Sequence, residues 1–268
     1  MHQLDKRFQE KVHIFSSFFY RRLSSAKLTL SKADEEQKKK TGFELVRTWT
    51  RKVNLFEKDF VVLPINENLH WFLVIICHSN KMLNEASEES DHVDDLNPQS
   101  DSVDVPVVDL DAETDRTHIF IFDSLGLTSR GKSTTVINKL RTYLQLEAQD
   151  KLGRPSNKSA CNGHVIKVPQ QENYTDCGCF LLQFVEEFFK NINKNIVDTI
   201  VEVNYDLSRW FPPQLAQDRR NFMKGRIQNL AADYAARQEM RKGTAEDKEY
   251  SVKQIEEDRS SDIEEIIM

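Results

Sequence analysis

Cysteine attacks as a thiolate, so a nucleophilic cysteine needs surroundings that lower its pKa. The chain carries cysteines at positions 77, 161, 177 and 179, and Cys177 has the best surroundings. Asp176 precedes it as an N-cap, Gly178 follows, and Phe180, Leu181, Phe184 and Phe188 form the apolar face of a helix over Asp176–Lys190. Cys177 then sits in the first turn, where the macrodipole and free N–H groups favour an anion. A backbone N–H there can also hold the oxyanion that forms in acyl transfer. On local grounds alone a buried cysteine at a helix start fits at least as well. A base has to decide between the two.

Seven histidines are available. His70 heads an apolar run, His70-Trp71-Phe72-Leu73-Val74-Ile75-Ile76, and Asp123 ends another, His118-Ile119-Phe120-Ile121-Phe122-Asp123. If the two runs are strands paired antiparallel, the head of the first meets the tail of the second. Taken singly, His70 also reads as a surface histidine at a strand end, and Asp123 as a turn former before Ser124-Leu125-Gly126. Their joint placement with Cys177 points to a thiol nucleophile, a base beside it and a carboxylate behind the base. Gln171, six residues before Cys177, is a candidate second oxyanion donor; glutamine is also a common loop residue.

The elements that must position these groups are legible in outline. A helix is expected over residues 3–24, a loop over 25–41 and a short helix over 42–52. Phe60–Ile65 and Trp71–Cys77 read as strands separated by the turn-like Asn66-Glu67-Asn68, and His118–Phe122 as a third. Ser133–Glu147 reads as an amphipathic helix and Val165–Val168 as a short strand closed by Pro169. Asn221–Ala236 reads as a last helix. Short strands mixed with helices favour an α+β domain over a doubly wound sheet.

With 268 residues, 39% of them hydrophobic and 16 of them Phe, the composition is that of a globular protein. No apolar run approaches the roughly 20 residues that span a bilayer, and no secretory segment opens the chain, so a soluble intracellular protein without a membrane partner is expected. Four cysteines are too sparse for a disulfide framework. Cys177-Gly178-Cys179 is a lone CxC, so no metal or cofactor is called for. Residues 84–116 hold twelve acids against one Arg, and residues 244–268 nine acids against three bases. With a total of −6, the remainder is left at about +11. Residues 81–116 read as a disordered acidic insertion within a domain spanning 1–236, and 237–268 as a charged, disordered tail. The basic body suits an acidic partner; no nucleic-acid motif accompanies it.

Taken together the motifs resemble the Ulp-type SUMO proteases, also called sentrin-specific proteases. The likeness is carried by His13-Ile14-Phe15-Ser16-Ser17-Phe18-Phe19-Tyr20, Arg47-Thr48-Trp49-Thr50, Val53-Asn54-Leu55-Phe56, Leu63-Pro64-Ile65, His70-Trp71 and Phe122-Asp123-Ser124-Leu125. It is closest over Val168-Pro169-Gln170-Gln171-Glu172-Asn173-Tyr174-Thr175-Asp176-Cys177-Gly178. It spans about residues 11–230, apart from the insertion. The resemblance implies a papain-like α+β fold, with a central mixed sheet and the nucleophile at a helix N-terminus. It implies cleavage of peptide or isopeptide bonds after the diglycine terminus of SUMO. It assigns Cys177 as nucleophile, His70 as base, Asp123 as orienter, Gln171 as oxyanion donor and Trp71 as one wall of a narrow diglycine tunnel. Trp49 and Trp210 read as structural, and Cys179 as a bystander on another helix face.

The acidic insertion resembles that of the branch preferring poly-SUMO chains. Within it Val105-Pro106-Val107-Val108-Asp109-Leu110-Asp111 looks like a SUMO-interacting strand, with Val105, Val107 and Val108 as its contacts. The same residues also read as an apolar patch in a linker, and Ile263–Met268 is a weaker segment of the same type. The family's opening Trp-Leu-Asn-Asp segment has no counterpart before His13, so the chain reads as an N-terminally shortened member. The implied partners are SUMO, its conjugates and poly-SUMO chains, and the implied site is the nucleus, with the cytoplasm second. Two alternatives stay open: the same chemistry on another ubiquitin-like tag such as NEDD8, and a SUMO-binding module without catalysis.

Overall fold

The computed structural model describes residues 10–25, 42–83, 115–126, 130–190 and 196–267. Its centre is a five-stranded mixed sheet in the order β1-β2-β3-β4-β5. The strands are β1 (Val12–Ile14), β2 (Phe60–Glu67), β3 (His70–Cys77), β4 (Thr117–Phe122) and β5 (Cys161–Ile166). The inner pairs β2/β3 and β3/β4 are antiparallel, whereas β1 and β5 flank them in parallel. The helices are α1 (Phe18–Ser24), α2 (Arg130–Leu152), α3 (Cys177–Lys190), α4 (Ile196–Glu202) and α5 (Pro213–Ile267). An α+β architecture of this kind is the fold class that the strand and helix pattern predicts.

The inner strands read as unbroken apolar runs because both of their faces are buried. Alternate residues go to opposite sides. Val61, Leu63, Ile65, Phe72, Val74, Ile76, Ile119 and Ile121 join Phe19 and Leu23 of α1 and Leu140, Tyr143 and Leu144 of α2 in one core. Phe60, Val62, Leu73, Ile75, Phe120 and Phe122 join Phe180, Phe184 and Phe188 of α3 and Ile196 and Ile200 of α4 in the other. Pro64 is tolerated inside β2 for a local reason. Val62 turns its carbonyl to the amide of Phe15 on the β1 side. Pro64, two residues on, points the same way, past the last residue that β1 pairs.

Several boundaries differ from the sequence expectation. The helix expected over 3–24 gives way to a strand at Val12–Ile14, because its β-branched residues extend along the free edge of β2. The expected 42–52 helix is a helical turn at 42–44 followed by a 3₁₀ turn at Arg47–Thr50. The turn between β2 and β3 is Asn68-Leu69, since Asn66 and Glu67 still pair with Trp71 and His70. β5 lies at Cys161–Ile166, ahead of the expected 165–168; its parallel pairing with β4 overrides the loop-like Asn162-Gly163. The expected insertion 81–116 has described structure at both of its ends. Ser79–Leu83 forms a 3₁₀ turn held by the Asn157 amide on the Met82 carbonyl, and Lys81 lies 3.6 Å from Asp115. Val105, Val107 and Val108 lie outside the described residues.

The chain divides into two compact units, Met1–Gln217 and Asp218–Met268. This boundary precedes the 236/237 limit set from composition. Backbone helix continues past Ala236 to Ile267 where a disordered tail was expected. Residues 237–267 hold many good helix formers and no proline, so nothing there forces a stop.

Two features of the first unit give measurable consequences. A Cβ placed on Gly163 would lie 2.4 Å from Ile137 Cγ2, whose branched side chain has little freedom to yield. Gly163→Ala is therefore expected to destabilise the protein by about 1–3 kcal/mol, read as a lower urea midpoint at unchanged slope. Glu147 is buried, with Thr50 donating to its Oε1 at 2.5 Å and Oε2 unpartnered; burial raises its pKa. The folded state then holds this proton to higher pH than the unfolded chain does. Stability should fall as pH rises from the ordinary carboxylate value through the raised one. Glu147→Gln should flatten that part of a pH series of thermal midpoints.

Candidate active site

The β3/β4 register, Leu73 opposite Phe122, brings the head of β3 to the tail of β4. There His70 Nε2 meets Asp123 Oδ1 at 2.6 Å, with both residues buried. The same carboxylate oxygen accepts the Leu125 amide at 3.0 Å. A buried carboxylate requires such partners, because removing an anion from water without them is prohibitive. With a carboxylate as acceptor, Nε2 is the donor, and in the neutral ring Nδ1 is then the nitrogen with the lone pair. His70 Nδ1 is buried and has no hydrogen-bond partner.

Cys177 is the first residue of α3 and is buried. The Asp176 carbonyl accepts the first helical bond, from Phe180 N at 2.9 Å, which sets Asp176 at the cap position. Its carboxylate accepts the Asn173 side-chain amide at 2.7 Å. Asn173 Oδ1 in turn accepts the amides of Thr175 and Asp176, at 2.9 and 3.0 Å. Asn173 thus winds the loop that delivers Cys177 to the helix mouth. Asn173 stands in the Val168–Gly178 motif but is not among the residues to which the sequence assigns a role. Its signal was an Asn three residues before a candidate N-cap.

The head of β3 and the mouth of α3 abut. α3 packs on β3, and a Cβ on Gly178 would stand 3.9 Å from Trp71 Cδ1. Trp71 is half-buried and packs against the α3-side core. No hydrogen bond joins the Cys177 thiol to His70 in this conformation. Catalytic hydrogen bonds are often long before substrate arrives. Gln171 is also brought in: its amide donates to the Ser124 carbonyl at 2.9 Å, beside Asp123. Among the described residues no group of His, Cys, Asp and Glu side chains has the arrangement of a metal site. No described helix is long and apolar enough to cross a membrane. Trp210 stacks on Phe122 and Phe184, with ring centroids 5.9 and 6.5 Å away, whereas Trp49 lies at the core's edge against Phe19.

With this geometry in view, comparison with known proteins is decisive on ancestry. Residues 1–210 match the C-terminal catalytic domain of the Ulp1 protease family. This chain belongs to the Ulp1 protease family. It is 32% identical over 240 residues to Ubiquitin-like-specific protease 2 of Schizosaccharomyces pombe, covering 85% of this chain and 35% of that protein. It is 30% identical over 250 residues to Sentrin-specific protease 7 of Homo sapiens, covering 82% of this chain and 23% of that protein. The chain thus spans about a third or less of the length of these two relatives. The fold is shared with a crystal structure of the de-sumoylating protease, at TM-score 0.50 and 24% identity, covering 84% of this chain and 68% of that one.

One residue at the site is strained. Asn68 and Leu69 both have positive φ, 52° and 64°, as a two-residue hairpin turn requires. Leucine is unfavourable there, yet Leu69 is 93% exposed and gains no burial. Leu69→Gly should raise stability by up to about 1 kcal/mol, seen as a gain of roughly 2–4 °C in Tm. An unchanged or lower Tm would mean that the turn is not strained.

Proposed function

We propose that this chain is a thiol protease that cuts peptide or isopeptide bonds after the C-terminal diglycine of SUMO. The observation that carries the reading is the buried His70–Asp123 hydrogen bond at a sheet end that abuts the helix starting at Cys177. Membership of the Ulp1 family and the names of the relatives support it.

In this reading His70 Nδ1 takes the Cys177 thiol proton and Asp123 steadies the resulting imidazolium. The thiolate attacks the carbonyl carbon of the terminal glycine, and the pair of electrons displaced from the C=O bond goes onto oxygen. The Cys177 N–H and a Gln171 side-chain N–H hold that oxyanion. Collapse expels the amine, which takes the proton from His70 and leaves a thioester on Cys177. Water, deprotonated by His70, then releases the acid and restores the thiol. Trp71 walls the slot for the diglycine and excludes larger side chains. Val105, Val107 and Val108 supply an added strand for a second SUMO in a chain, flanked by acids. The nucleus is the site of action in this reading.

The test is covalent labelling of the full chain by SUMO carrying a C-terminal vinyl sulfone, with a NEDD8 probe alongside. The SUMO probe should label Cys177, Cys177→Ser should abolish labelling, and His70→Ala should slow it by at least about 100-fold. Labelling by NEDD8 alone would assign another tag. SUMO binding by calorimetry without labelling or turnover would reduce the chain to a binding module.

A further inference from the structure

Asp123 and Ser124 are neighbours in the chain but serve opposite halves of the site. Asp123 holds the base. Ser124, 1% exposed, turns its hydroxyl away to the loop before α3, where Oγ donates to Gln171 Oε1 at 2.5 Å. The Ser124 carbonyl accepts the Gln171 backbone amide at 2.9 Å, so the two residues are joined twice. Gln171 is itself buried, and its Nε2 donates to the Asn173 carbonyl.

A carboxamide is nearly symmetric in shape, and rotating it by half a turn exchanges an acceptor for two donors. Here the choice is forced. The Asn173 carbonyl can only accept, so it fixes Nε2 on its side. Oε1 then faces Ser124, whose hydroxyl must donate. One Nε2–H is used by Asn173 and one is left over.

We propose that Ser124 is a positioning residue for catalysis, which together with the Asn173 carbonyl locks the Gln171 carboxamide at both ends so that an N–H is held ready for the oxyanion. Without the hydroxyl, Oε1 loses its buried partner, and the carboxamide is held only by its bond to the Asn173 carbonyl. An amide tethered at one end can swing, and its N–H is then no longer fixed where a developing negative charge needs it. The dipeptide Asp123-Ser124 then couples both ends of the catalytic step, since one shift of this turn would move base and oxyanion donor together. The proposal rests on the reading of Gln171 as oxyanion donor.

The test uses the full chain and SUMO linked through its diglycine to a fluorogenic amine, with Ser124→Ala, Ser124→Thr, Gln171→Ala and the double variant Ser124→Ala/Gln171→Ala. Ser124→Ala should lower kcat by about tenfold or more with KM within about twofold, because the loss falls in the transition state. Ser124→Thr, which keeps the donor, should retain most of kcat. In the Gln171→Ala background, Ser124→Ala should have no further effect beyond about twofold. A full rate for Ser124→Ala, or an equal loss with and without Gln171, would overturn the proposal, the latter assigning Ser124 to Asp123 and His70. A full rate for Gln171→Ala would instead remove the oxyanion reading and the proposal with it. Should Ser124→Ala melt early, Ser124→Cys keeps the volume with a poor donor; it should lose kcat as well, and a wild-type rate there would overturn the idea.

Discussion

The structure depends on a hydrogen bond that only a strand register can make. His70 and Asp123 are 53 residues apart, and their side chains meet at 2.6 Å because β3 and β4 run antiparallel with Leu73 opposite Phe122. A slip of one residue would send His70 to the other face and leave a buried carboxylate without its partner. Either outcome costs far more than a surface substitution. The two apolar cores prevent the slip. β3 alternates Phe72, Val74 and Ile76 into one core with Leu73, Ile75 and Cys77 into the other.

The second constraint is the helix mouth. α3 is anchored by Phe180, Phe184 and Phe188 against Phe120 and Phe122, so the helix rests on the strand whose end carries Asp123. Asn173 and Asp176 then build the turn that starts the helix at Cys177. The pieces of the site thus share supports. β4 holds Asp123 and packs under α3, while Ser124 ties the loop before α3 back to the end of β4. Such shared supports tie the three parts of the site to one frame.

Much of the site was legible because it depends on local rules. A histidine at the head of an apolar run and an aspartate at the tail of another announce themselves by position. A cysteine after Asp and before an apolar helix face does the same. The boundaries that failed are those where tertiary contacts overrule propensity. Val12–Ile14 could extend the expected helix, but the open edge of β2 draws it out as a strand. Cys161–Ile166 contains Asn162 and Gly163, poor strand formers, and pairs because β4 offers a parallel partner and Ile137 fills the space where a Cβ would stand.

The sequence by itself determined the residue types, the alternating apolar runs and the helix-start chemistry around Cys177, because periodicity and capping act over a few residues. It also contained enough of the family's motifs to identify the fold. Tertiary structure alone decided which neighbour each polar group meets. That Ser124 donates to Gln171 and that Trp71 lies against Gly178 are contacts between groups whose spacing carries no signal. The physical reason is that hydrogen-bond partners inside a core are chosen by burial and direction, and both exist only once the strands and helices have closed on one another.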